Sequence, residues 1–280
     1  MLEIIRLQFK AIFGKRALRS VALIVALVLF TKGCDSTFVI SRNMATASMN
    51  EAMAGPAERG FLVFRYLFFF VIVAMFGFLM TTAVGAFAVD TDIRQKFIVN
   101  VLSKPISRGQ YLLGKILAVT LFILLYCVVG VGLFVLNFFP SLSDLNSEFW
   151  KTFGMLFVLL FTQFAIVFAL SLVFHPIAAG LIGIALAGLT QMLTPVLLIS
   201  PDGSLTHRAA AALYVVLPSL DQINIPILGA RMADPNMVQM GFRRLSHLSE
   251  GLIASHNLLY ALALLILYAL MFRRKSVVPS

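Results

Sequence analysis

Charge is scarce in this sequence. Only 12% of its 280 residues are Asp, Glu, Lys or Arg, where a soluble globular domain carries about a quarter. With 60% hydrophobic residues and a mean hydropathy of +0.97, lipid must be the solvent for most of the chain. The alternation of polar and apolar residues that barrel strands require is also missing. Backbone polar groups in hydrocarbon have to be paired internally, so helices remain. Cysteine is nearly absent as well: Cys34 lies just outside one apolar run and Cys127 inside another, dissimilar settings that suggest no disulfide framework and leave the redox compartment open. No H-E-x-x-H run, paired carboxylates or serine-histidine constellation occurs, and His175 and His256 fall at a helix break and near a helix end. These absences argue against an intramembrane enzyme.

What is present is a set of long uncharged stretches: Tyr66 to Val89, Ile116 to Ser143, Thr152 to Pro201 and Gly251 to Phe272. A bilayer takes roughly 20 residues of helix, so the third stretch is about twice a span and must fold back. His175-Pro176 is the break, because proline removes a helical hydrogen bond and restricts the residue before it. Helices are therefore expected near 66–89, 116–139, 153–174, 177–199 and 251–271. A further span at 17–32 borrows length from Arg19 and Lys32 snorkelling to the two interfaces. None of the four long stretches holds the charged groups that a proton-driven carrier needs at depth.

The formal net charge is +10, and its distribution decides between nucleic acid and a membrane face. With both termini inside, segments 1–19, 90–115 and 273–280 hold 13 basic and 3 acidic residues, while the longer outer segments 31–65, 140–152 and 200–250 hold 9 of each. All of the excess lies on one side, as the positive-inside rule requires, where anionic lipid attracts it. No nucleic-acid partner is implied. A lipoprotein signal ending at Cys34 is a poor fit, with Lys32 at a position that takes a small residue.

Two elements do not span. Leu2, Ile5, Phe9, Ile12 and Phe13 form one helical stripe opposite Glu3, Arg6 and Lys10, which predicts an amphipathic elbow helix over 1–16 lying in the interface. Ala209 to Leu217, ended by Pro218, is too short to cross and reads as a re-entrant or interfacial helix in the outer loop 200–250. The fold class is thus an all-α polytopic membrane protein with an elbow helix, six transmembrane helices in one domain, 17–280, and both termini cytoplasmic.

The inner loop 90–115 carries the most information. Asp90, Thr91 and Asp92 suit a helix start; Ile93, Phe97, Ile98, Val101 and Leu102 make an apolar face; Pro105 stops the helix. Ser107 and Gln110 then form a capping box that launches the next span. Gly109 to Lys115 imitates a phosphate-binding loop, but Ile116 stands where Ser or Thr must hold Mg²⁺, and no strand precedes it. An ATPase, if one is used, comes from another chain.

The run Leu102 to Leu117 resembles the loop of ABC-2-type ABC transporter permeases, in which Pro-Ile-Ser-Arg is followed by an aromatic residue and Gly-Lys. Here these are Pro105, Ile106, Ser107, Arg108, Tyr111, Gly114 and Lys115. The layout of elbow, six spans and long last outer loop is similar too. The resemblance implies that the helix before Pro105 is a coupling helix seated on a separate ABC ATPase subunit, with Ile93, Arg94, Phe97, Val101, Leu102 and Ser103 as docking positions. It also implies that ATP and Mg²⁺ belong to that partner, leaving no cofactor in this chain. A second copy of the chain or a homologous permease completes the complex. Many members have an acidic residue and a Gly-Thr pair where this chain reads Arg94-Gln95-Lys96-Phe97.

Within the spans, Thr81, Thr82, Thr162, Gln163, Thr190, Gln191 and Thr194 are polar candidates for an interior path, or for interhelical bonds. Ala179, Gly183 and Ala187 make a small-residue stripe that lets backbones approach closely, within one subunit or, as the resemblance implies for this helix, at a dimer contact near the transport path. The expected function is the permease subunit of an ATP-driven exporter in the cell membrane. The alternatives are a non-transporting anchor or mechanical transducer of an ABC-like complex, and a free-standing carrier or channel.

Overall fold

The computed structural model describes residues 51–88, 107–138, 147–200, 203–218 and 250–274. The elbow 1–16, the span at 17–32, the coupling helix and the stretch 219–249 lie outside the described residues. Among those described there are six helices and no strand: α1 Glu51–Phe87, α2 Arg108–Phe138, α3 Ser147–Leu170, α4 Pro176–Ile199, α5 Leu205–Val216 and α6 Glu250–Arg274. All but α5 are long and apolar enough to cross a membrane. Over its described residues the chain is all-helical, and its five apolar helices make it a multi-pass membrane protein.

Each boundary has a local cause. α1 begins well before the apolar run at Tyr66 because Glu51, Glu58, Arg59 and Arg65 end a lipid crossing but favour a helix. α3 stops at Leu170 rather than 174. There the chain tightens, with the Val173 amide donating to the Leu170 carbonyl at 3.0 Å, and His175 turns extended (φ −57°, ψ 143°) ahead of Pro176. Pro176 then opens α4, and the Ala179 amide donates to the His175 carbonyl at 2.9 Å. The short run in the outer loop forms α5, capped by the Ser204 hydroxyl, which accepts from the His207 amide. α5 packs back on α4 through Ala210, Leu193 and Leu217.

α3 is the hub. It packs against α1, α2, α4 and α6, and 72% of its apolar window is buried, against 22% for α6. Its sequence explains this, since Phe153, Leu156, Leu160, Phe164, Val167 and Phe168 leave few polar positions on any face. Two aromatic clusters brace its ends. Phe69, Phe70, Phe134, Phe149 and Phe153 meet where α2 gives way to α3, with centroids 4.9 to 6.2 Å apart. At the opposite end, here termed the base, Phe164, Phe168, Tyr268, Phe272 and Tyr111 form a ladder joining α3, α6 and α2. Outside the core, Leu113, Leu117, Leu121, Leu124 and Val128 give α2 an exposed apolar stripe at the spacing of one helix face, which suits a lipid contact.

Candidate functional site

At the base, α2 begins with the reciprocal cap legible in the sequence. The Ser107 amide donates to Gln110 Oε1 at 3.0 Å, and the Gln110 amide donates to Ser107 Oγ at 3.2 Å. Two donors that a helix start leaves unpaired are satisfied in this way, so α2 starts at a fixed residue, Arg108, the last of the Pro-Ile-Ser-Arg sequence. One turn further on, Tyr111 is fully buried and Lys115 is 3% exposed. The Lys115 ammonium lies 5.8 Å from the Tyr111 ring centroid, within cation–π range. Tyr111 stacks on Phe272 at 6.3 Å, Phe272 on Tyr268 at 5.9 Å and Tyr268 on Phe168 at 4.2 Å. Rings from α2, α6 and α3 are therefore joined at the point where the loop 90–106 enters the bundle.

Of the positions singled out in the loop, Ile93, Arg94, Phe97, Val101, Leu102, Ser103 and Pro105 lie outside the described residues. Arg108 is half-buried in the first turn of α2, and Gly114 is buried beside Lys115. The Gly109 to Lys115 run is helical throughout. Its Tyr111 amide is spent on the Ser107 carbonyl at 3.1 Å, so the run does not form the open cradle of amides that grips phosphates.

The polar residues of the interior divide into two kinds. Thr81 donates to the carbonyls of Gly77 and Phe78 within its own helix, and Thr190 donates to Ala187. Others bridge helices. Thr162 donates to Val158 at 2.8 Å and also approaches the Asn257 carbonyl of α6 at 3.4 Å. Gln163 of α3 donates from Nε2 to Thr82 Oγ1 of α1 at 2.9 Å, with both residues buried. Its other amide atom, Oε1, is buried and has no hydrogen-bond partner. Gln191 is half-buried.

The small-residue stripe of α4 faces this node. Ala179, Gly183 and Ala187 are all buried, and their neighbours are in the same chain. A Cβ on Gly183 would run into the Val167 side chain and stand 3.2 Å from Gln163 Nε2, while one on Gly180 would stand 3.7 Å from Thr82 Cγ2. The stripe is thus occupied by packing of α4 on α1 and α3. Two polar residues were not foreseen: Asn257, 2% exposed, which Thr162 reaches at its backbone carbonyl, and Tyr126, whose hydroxyl bridges to α1 by donating to the Val73 carbonyl at 2.6 Å. Each is a polar group within an apolar run, the signal that exposed the threonines. Among the described residues no group of three or more His, Cys, Asp or Glu comes together.

No protein-family model, curated protein or solved structure matches the chain.

Proposed function

We propose that the chain is the membrane-spanning permease subunit of an ATP-driven exporter of the ABC-2 type. In this reading a separate ATPase seats the 93–103 helix, and a second copy or a homologous permease completes the path. The observation that carries it is the Leu102 to Leu117 run, with its Pro-Ile-Ser-Arg and Gly-Lys elements, opening directly into a capped transmembrane helix. A loop that transmits force needs a stiff joint to the bundle. The Ser107–Gln110 cap and the buried Tyr111–Phe272–Tyr268–Phe168 ladder supply one. Closure of the ATPases would push the loop, and α2 would carry the displacement through the ladder to α6 and α3. α3 touches α1 and α4 as well, so a tilt there reaches all the described spans.

The test is purification of the tagged chain from its native membranes in mild detergent. We expect a separate ATPase polypeptide to co-purify and to account for all ATP hydrolysis, with amphiphilic cargo stimulating that hydrolysis. Hydrolysis by the chain alone, or transport by the chain reconstituted without a partner, would contradict the proposal.

A further inference from the structure

The Gln163 amide sits where an unpaired polar atom is hardest to tolerate. It is fully buried on the most enclosed helix, seven residues from the end of α3 at Leu170, which is roughly 10 Å of helix. Nε2 donates to Thr82, and Oε1 has no hydrogen-bond partner. Buried acceptors in native proteins nearly always have a partner, and in hydrocarbon no solvent is at hand to supply one. Opposite this amide, α4 presents no side chain longer than a methyl at Ala179, Gly180 and Gly183. No side chain there interlocks α4 with the node, so α4 can part from Gln163 without carrying a polar group into lipid.

We propose that the cleft between α1, α3 and α4 is a binding site for the polar head of an uncharged amphiphile, whose O–H or N–H donates to Gln163 Oε1. The donor requirement follows from the free atom being an acceptor. The lack of charge follows from the walls, where Thr82, Val167, Phe164 and Gly183 offer no charged side chain to balance an ion. An apolar body follows from the depth. In the state described here the cleft is closed by Gly183 against Val167; parting of α4 opens it. The assignment of this guest as exported cargo rests on the permease reading, whereas its binding does not.

The test uses the full chain in lipid nanodiscs without any ATPase. Dodecan-1-ol is titrated against dodecyl methyl ether, which keeps the oxygen and lacks the donor, and affinity is read from the rise in Tm. A single hydrogen bond predicts about fivefold tighter binding of the alcohol. Gln163→Leu should abolish that preference, and Thr82→Val, which leaves Oε1 in place, should retain it. An ether that binds as tightly as the alcohol to the unaltered chain overturns the proposal and leaves Oε1 to a resident water. So does an alcohol preference that survives in Gln163→Leu. Should Gln163→Leu fail to fold, loss of the preference in Gln163→Met serves the same purpose, and the comparison on the unaltered chain stands without either. Failure here leaves the ATPase reading intact, and absence of an ATPase leaves this binding intact.

Discussion

Gly77 is held to hydrogen by a ring on the neighbouring helix. The Tyr126 hydroxyl is tied to the Val73 carbonyl, so its ring is held against α1, and a Cβ on Gly77 would stand 2.7 Å from Tyr126 Cε1 and 2.9 Å from Leu160 Cδ1. Between helices in lipid, close packing of this kind replaces the hydrophobic drive that water supplies. Gly77→Ala should therefore cost about 1–3 kcal/mol, the usual penalty of overpacking. Tyr126→Phe frees the ring to move aside, so the double variant should be more stable than the sum of the two single losses. Thermal unfolding of the four proteins in one double-mutant cycle measures the coupling; strict additivity would show that the ring does not constrain Gly77. The pairing of Gln163 with Thr82 was not legible in the sequence, although both were visible as polar residues in apolar runs. Partner choice depends on how α1 and α3 are rotated about their axes, and no periodicity states that for helices that are apolar all round.

At the scale of the element, the starts and breaks were the most legible part. Ser107 and Gln110 at the right spacing announced the cap, and His175-Pro176 announced the division between α3 and α4, because both are covenants between near neighbours. Lengths were less legible: α1 runs back to Glu51, since hydropathy marks where lipid ends and says nothing about where a helix does. The hub position of α3 was not visible either, because being surrounded is a property of the assembled bundle. The cap makes a further prediction. Replacing Ser107 by Ala should remove about 1 kcal/mol from the first turn of α2, seen as roughly fivefold faster amide exchange at residues 109–111, with α3 exchange unchanged. Unaltered exchange in that turn would mean that the joint is held by the Tyr111 ladder alone.

For the molecule as a whole, the five described spans alternate in direction. Phe87, Arg108, Leu170, Pro176 and Phe272 fall at the base, whereas Phe134 and Phe149 meet at the other end. In the proposed orientation, which rests on the concentration of positive charge in 1–19, 90–115 and 273–280, the base faces the cytoplasm. A membrane-impermeant thiol reagent on intact cells should consequently label Cys34 and leave Ser103→Cys unlabelled, while Cys127, buried in the bundle, stays silent in both. Labelling at 103 without labelling at 34 would invert the orientation and place the loop beyond reach of any cytoplasmic ATPase.

The central claim is that the loop before Pro105 docks an ATPase, and Phe97 is its largest apolar residue. Loss of an aromatic anchor at an interface costs about 2 kcal/mol, roughly thirtyfold in affinity. The comparison is with Leu121→Ala, which shortens a lipid-exposed residue of α2. The decisive measurement is the amount of ATPase retained by each purified variant at equal membrane level. The account predicts that Phe97→Ala inserts normally and loses the ATPase, while Leu121→Ala keeps it. Full retention and full ATP turnover in Phe97→Ala would place Phe97 in lipid and contradict the coupling role.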